Sequence, residues 1–179
     1  VSPVIPYTED ASHWGYYQSA EPGATYNSND DTIYLYYRTM KLRTGYTGSN
    51  GNLNTIGGIC LATSPGNDGT NFTHYDADND SFRDAVMVQS SNYPVEDDYR
   101  WLSTPYALID SDGLFHLFYD VARHPENESW IQVALAHATS SDGKSFSEIE
   151  SDIYTINGND WKHFEVRAPS VIKEGDNLK

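Results

Sequence analysis

Several groups of side chains are spaced so that they could act together. Asp76-x-Asp78-x-Asp80, followed by Asp84, sets carboxylates at alternating positions. Oxygen ligands in that pattern suit a hard cation such as calcium. An EF-hand loop would also need glycine at its sixth position and glutamate at its twelfth. This chain has Ser81 and Met87 there, so a solvated acidic loop with no cofactor is the expected reading. Glu165 and Arg167 are two residues apart and lead into Pro169. In an extended strand all three share one side, and the guanidinium would lower the pKa of the carboxyl beside it. A structural ion pair is the alternative. Trp14 and Trp161 each stand eight residues before a proline, Pro22 and Pro169, and Trp101 stands four before Pro105. Their rings could offer a stacking platform or simply pack. His116 and His137 lie in apolar runs and are expected to be hydrogen-bonded core residues. Cys60, the single cysteine, reads as a small buried hydrophobe. There is no phosphate-binding glycine loop, zinc-spaced Cys/His set or nucleophile elbow.

The elements that must position these groups repeat along the chain. Pro105 to Phe146 reads as three short strands joined by turns: a stretch after Pro105, then Leu114–Tyr119, then Ile131–Ala138. A fourth is expected at Ile153–Ile156. Asp112-Gly113 and Asp142-Gly143 are hairpin signals, because glycine accepts positive φ without a Cβ clash. The same order appears upstream as Pro22, Ile33–Tyr37, Ile59–Ala62 and Asp68-Gly69, and it starts again at Pro169. The three prolines are 83 and then 64 residues apart. A repeat of this kind fixes architecture before any local detail. The copies are placed at about 22–100, 101–160 and, as a beginning, 161–179, all within one domain. Their strands are apolar on both faces, as in Leu114-Phe-His-Leu-Phe-Tyr119. A flat sandwich would alternate more cleanly, whereas sheets stacked radially as propeller blades are covered on both sides.

Composition sets further bounds. The 179 residues suffice for one ordinary domain, and 13% aromatics with 14 tyrosines is too aromatic for a disordered chain. No apolar run is long enough to span a bilayer. A formal net charge of −15 opposes nucleic acid or an anionic membrane as partner. It fits a soluble protein with a neutral or cationic ligand.

The motifs together resemble the five-bladed β-propeller glycosidase superfamily shared by glycoside hydrolase families 43, 32, 62 and 130. They are Glu21-Pro22 with Ile33-Tyr-Leu-Tyr-Tyr37, Pro105 with His116-Leu-Phe-Tyr119, Ala138-Thr-Ser-Ser-Asp-Gly143-Lys-Ser-Phe146, and Arg167-Ala-Pro-Ser-Val-Ile172. The resemblance implies an all-β, partial five-bladed propeller. Two copies and the beginning of a third imply a truncated portion whose open blade faces pack against another copy of the chain, making a homo-oligomer. It also implies a carbohydrate ligand and paired carboxylates in a central pocket; the localisation of this soluble protein is left open, with secreted or periplasmic as one option. Glycoside hydrolysis needs one carboxyl to protonate the leaving oxygen and another to attack or to activate water. Glu21, directly before Pro22, matches the first-blade carboxylate of the family, where aspartate is more usual. Glu165 is the nearest candidate for the second. Thr104 and Ala168 stand where the family carries further acidic residues, which favours a non-catalytic carbohydrate-binding or scaffold propeller as the alternative. Arg167, Asp120, Arg38 and the rings of Trp14, Trp101 and Trp161 are the implied sugar-binding residues. A six-bladed sialidase-like propeller is a weaker alternative, suggested by Asp142-Gly143 with Phe146 and by Arg167.

Overall fold

A computed structural model describes residues 5, 8–10, 12–15, 18–42, 55–88, 101–123, 132–154, 167–174 and 177–178. Glu165, Trp161 and the sequence around Glu96–Asp98 lie outside the described residues, as does the side chain of Trp101. Among the described residues no helix is long and apolar enough to cross a membrane.

Strands fall where the β-branched and aromatic runs place them. The first sheet, blade 1, runs β1 (Gln18–Asn27), β2 (Thr32–Leu42), β3 (Thr55–Pro65) and β4 (Thr73–His74), antiparallel and in chain order; β5 (Ala85–Val88) also pairs with β3. The second, blade 2, runs β6 (Trp101–Ile109), β7 (Phe115–Arg123), β8 (Gln132–Ser140) and β9 (Ser147–Tyr154) in the same order. A short hairpin of β10 (Lys173–Glu174) and β11 (Asn177–Leu178) follows. The strands are longer than the apolar runs alone predict. Pro22 and Pro105 lie inside β1 and β6 rather than at their starts. The fourth strand of blade 2 begins at Ser147, ahead of the expected Ile153.

Strand β6 packs across β1, β2 and β3, so one face of each blade meets the other. Tyr34, Tyr36, Ile59 and Leu61 of blade 1 form a single core with Leu102, Phe115, Leu117 and Tyr119 of blade 2. The far face of blade 1 has its own cluster of Trp14, Tyr37, Cys60 and Ala62. Double-sided burial explains why neither β2 nor β7 alternates cleanly between apolar and polar residues.

The Asp-Gly turns act as expected. Gly69, Gly113 and Gly143 have φ of 62°, 83° and 69°. Asp142 Oδ1 accepts the backbone N–H groups of Lys144 and Ser145 at 2.8 and 2.7 Å and the Ser140 hydroxyl at 2.7 Å. Asp68 Oδ1 likewise accepts from the N–H groups of Thr70 and Asn71. Tyr36 of blade 1 donates its hydroxyl to the Gly143 carbonyl at 2.8 Å, tying the first blade to the second blade's turn. His116 and His137 are hydrogen-bonded to each other at 3.0 Å, and Phe118 stacks on His137.

Candidate active site at the blade axis

The site is built where the first strand of each blade bulges. The pairing of β1 with β2 shifts between Ala20 and Gly23, and that of β6 with β7 shifts between Ser103 and Tyr106. Each bulge spans a proline and the residue before it. Glu21, Thr104 and Ala168, the residues that precede Pro22, Pro105 and Pro169, have φ of 53°, 43° and 56°. A residue before proline ordinarily takes an extended conformation, and positive φ in a residue with a Cβ costs roughly 1–3 kcal/mol. The same strained geometry at the same place in three copies therefore has to be held by its surroundings.

What holds it is a chain of hydrogen bonds running from copy to copy. The Thr104 N–H donates to Glu21 Oε2 at 3.2 Å. The Ala168 N–H donates to Thr104 Oγ1 at 3.3 Å and to Asp120 Oδ1 at 3.2 Å. In each step the turned backbone of one copy points its amide at a side chain of the copy before. The β1 and β6 bulges are in close contact: a Cβ on Gly23 would lie 2.0 Å from the Pro105 carbonyl oxygen. Glycine is needed there because backbone from the next blade fills the space.

Charged side chains surround this line. Arg38 on β2 pairs in register with Ala20, and its Nη1 lies 3.3 Å from Glu21 Oε1. Each oxygen of Glu21 thus has its own donor, and the side chain is 30% exposed. Asp120 on β7 pairs in register with Ser103, the equivalent position in blade 2. It is fully buried. Burial pushes its carboxyl up to about 6, and the nearby Glu21 charge adds to this; the Thr104 hydroxyl, the Arg167 charge and the Ala168 amide pull the other way. The Ser103 hydroxyl lies 3.5 Å from its second oxygen. Arg167 is exposed, two residues before Pro169.

The structure therefore gathers Glu21, Arg38, Asp120 and Arg167 about one point. It also recruits Thr104 and Ala168, which sequence reasoning had counted only as missing carboxylates. Their contribution is a backbone N–H and, for Thr104, a hydroxyl. The repeated residue–proline pair was the signal that could have found them. Trp14 is elsewhere: it is 6% exposed in the core on the far face of blade 1, with the Lys41 ammonium 4.6 Å from its ring centre. In the acidic loop, Asp76, Asp78 and Asp84 bring one carboxylate oxygen each within 4.8 Å of one another. Asp80 is not in that group. Backbone N–H groups of Asp80, Ser81 and Ala77 already bond to Asp76 and Asp84.

No protein-family model matches this chain, and neither does any curated protein. Solved structures do. A family 117 glycoside hydrolase from the marine bacterium Zobellia galactanivorans superposes with a TM-score of 0.65 at 14% identity, covering 97% of this chain and 49% of its own. A second structure, described as a glycoside hydrolase, gives 0.67 at 14% identity over 99% of this chain and 45% of its own. The family 32 β-fructofuranosidase of Bombyx mori gives 0.56 at 16% identity over 88% and 27%. This chain spans about half the length of those structures or less. At such identities the likeness is one of fold: the chain is built as part of an all-β propeller of the kind these glycoside hydrolases use.

Proposed function

We propose that these blades carry part of a carbohydrate-processing site of the glycoside hydrolase type, with Glu21 as the carboxylate that attacks the anomeric carbon or activates water. The observation that supports this most is the line of three strained pre-proline residues, in which the Thr104 amide bonds to Glu21 and the Ala168 amide to Thr104 and Asp120. Strain of this kind, repeated and reinforced, is characteristic of sites that must hold groups in one geometry. Arg38 and the Thr104 amide fix the orientation of the Glu21 carboxylate. Asp120 is a positioning residue: it anchors the Ala168 amide and the hydroxyl of Thr104, the residue whose amide bonds to Glu21. The second carboxylate that hydrolysis needs is assigned to Glu165 from the sequence.

The test is turnover of a panel of p-nitrophenyl glycosides by this chain and by any longer natural chain containing it. The expected result for Glu21→Gln is a fall in kcat/KM of about 10²–10⁴-fold on whichever glycoside is cleaved, the usual contribution of a positioned acid or base. Unchanged activity would remove Glu21 from the mechanism.

A second reading, carbohydrate binding without turnover, is favoured by the occupancy of both Glu21 oxygens and by Thr104 and Ala168 standing at the other two pre-proline positions. Glycan binding that Glu21→Gln leaves intact, with no turnover of any glycoside, would select it.

A further inference from the structure

We propose that the face of blade 1 turned away from blade 2 carries a separate binding site for a single neutral sugar ring. A cavity of about 300 Å³ opens there between the N-terminal segment and the acidic loop. Its lining includes Trp14, Glu9, His74, Phe82 and Arg83. That volume is at the small end of ligand sites, enough for one ring with its substituents.

Two features make it a built site rather than a surface dent. The first is Arg83, which is 6% exposed although charged. Its Nη1 donates to Ser19 Oγ at 3.1 Å. The backbone of Gly15, at φ 90°, closes over the guanidinium so tightly that a Cβ there would lie 2.7 Å from Nη1. The guanidinium is held before any ligand arrives, so a contact with it costs little ordering entropy. The second feature is a flat aromatic slab. Phe82 stacks on the His13 ring with centroids 3.5 Å apart and planes 10° from parallel, and Phe82 keeps 36% of its surface exposed.

The charge pattern selects the ligand class. Glu9 faces the same space as Arg83, and the whole chain carries −15. An anion would be repelled over most of its approach. A pyranose offers an apolar C–H face to an aromatic ring and a rim of hydroxyls to groups that donate and accept, which is what Phe82, Arg83, Glu9 and Ser81 present. This site shares no residue with the axial carboxylates, so the two readings stand or fall separately.

Saturation-transfer NMR on the whole chain tests it, using the methyl pyranosides of xylose, glucose, galactose and mannose, with inorganic phosphate as the anionic control. Transfer to at least one pyranoside is expected in the wild type and, unchanged, in Glu21→Gln. Phe82→Ala, an exposed loop substitution, is expected to weaken binding about tenfold, and Arg83→Lys should weaken it too. The proposal is overturned by an absence of transfer to any pyranoside. It is equally overturned by phosphate competing the signal away, or by a signal that survives Phe82→Ala and is lost in Glu21→Gln.

Discussion

In blade 1 the residue before the proline is Glu21, and the neighbouring strand sets Arg38 beside it. In blade 2 the same two places hold Thr104 and Asp120. The backbone is the same in both: a bulge at the proline, positive φ before it, and a second strand in the same register. The charges differ: the acid stands on the first strand of one blade, beside an arginine, and on the second strand of the next, beside a neutral threonine. The faces differ as well. The surface that blade 1 turns toward blade 2 presents Tyr34, Tyr36, Ile59 and Leu61. The matching register positions in blade 2 are His116, Phe118, Leu135 and His137. The comparison teaches that repetition here belongs to the main chain. Conformation is copied from blade to blade, and chemistry is assigned position by position on top of it.

The largest effect is expected where the copies touch. Gly23 and Tyr106 are equivalent, each directly after its proline, and a Cβ on Gly23 would meet the Pro105 carbonyl, whereas Tyr106 already carries a side chain. Gly23→Ala forces the β1 and β6 bulges apart and is expected to cost about 3 kcal/mol or more, since a backbone clash cannot be relieved by a rotamer change. Tyr106→Ala, at a half-buried position, should cost less. Urea unfolding of the two variants measures this. If Gly23→Ala keeps the wild-type midpoint, the close approach of the blades at the axis is wrong.

Next in size is a pair of opposed pH effects confined to blade 2. Burial raises Asp120 from 3.8 to about 6, so the folded state disfavours its charged form. The stability it contributes is full below pH 4 and is lost as pH rises through 6. Burial, with help from His116, lowers His137 from 6.5 to about 4. Its contribution is full above pH 6.5 and is lost as pH falls through 4. A shift of one unit corresponds to about 1.4 kcal/mol, so each effect reaches at most about 3 kcal/mol. Between pH 4 and 6.5 the two largely cancel. Asp120→Asn should therefore leave a protein that loses stability on acidification through this range. His137→Leu, which installs the residue type blade 1 has at that register, should leave one that loses stability as pH rises. Unfolding curves at pH 4.5 and 6.5 decide the matter, and parallel slopes for the two variants would break the assignment.

These contrasts also mark what the chain discloses unaided. Ile33–Tyr37 and Leu114–Tyr119 are legible as strands because their apolar runs are short and bounded by turn residues. Asp68-Gly69 and Asp142-Gly143 are legible because glycine at positive φ has a local signature. Glu21, Arg38 and Asp120 could be singled out because the repeat places them at matching positions. The role of Thr104 and Ala168 was hidden, since a residue before proline is expected to be extended and neither side chain is acidic. That Gly23 is required was hidden too, because the atom that excludes a side chain belongs to a residue far along the chain. Trp14 was ambiguous for a related reason: spacing to a proline cannot tell which face of a blade a ring will take.

The smallest effect concerns the turns, where the copies agree most closely. Asp68 and Asp142 make the same set of bonds to the amides that follow them, and both carboxyls are held down to about 2. At Asp142 burial works against this, and the bonds from Ser145, Ser140 and Lys144 outweigh it. What differs is the setting. Gly143 lies against Phe115 and the Tyr36 hydroxyl, which bonds to its carbonyl, so the blade 2 turn is part of the seam between blades. Among the described residues, the Asp68 turn makes no such bond to a second blade. Asp142→Asn should cost about 1 kcal/mol at neutral pH, the net worth of a charge-assisted bond or two at a partly exposed site. The loss should shrink as pH falls toward 2, where the wild-type carboxylate itself takes up a proton. Asp68→Asn should shift the urea midpoint less. If the two substitutions shift it equally, the Tyr36–Gly143 contact adds nothing to the blade seam, and the turns are interchangeable after all.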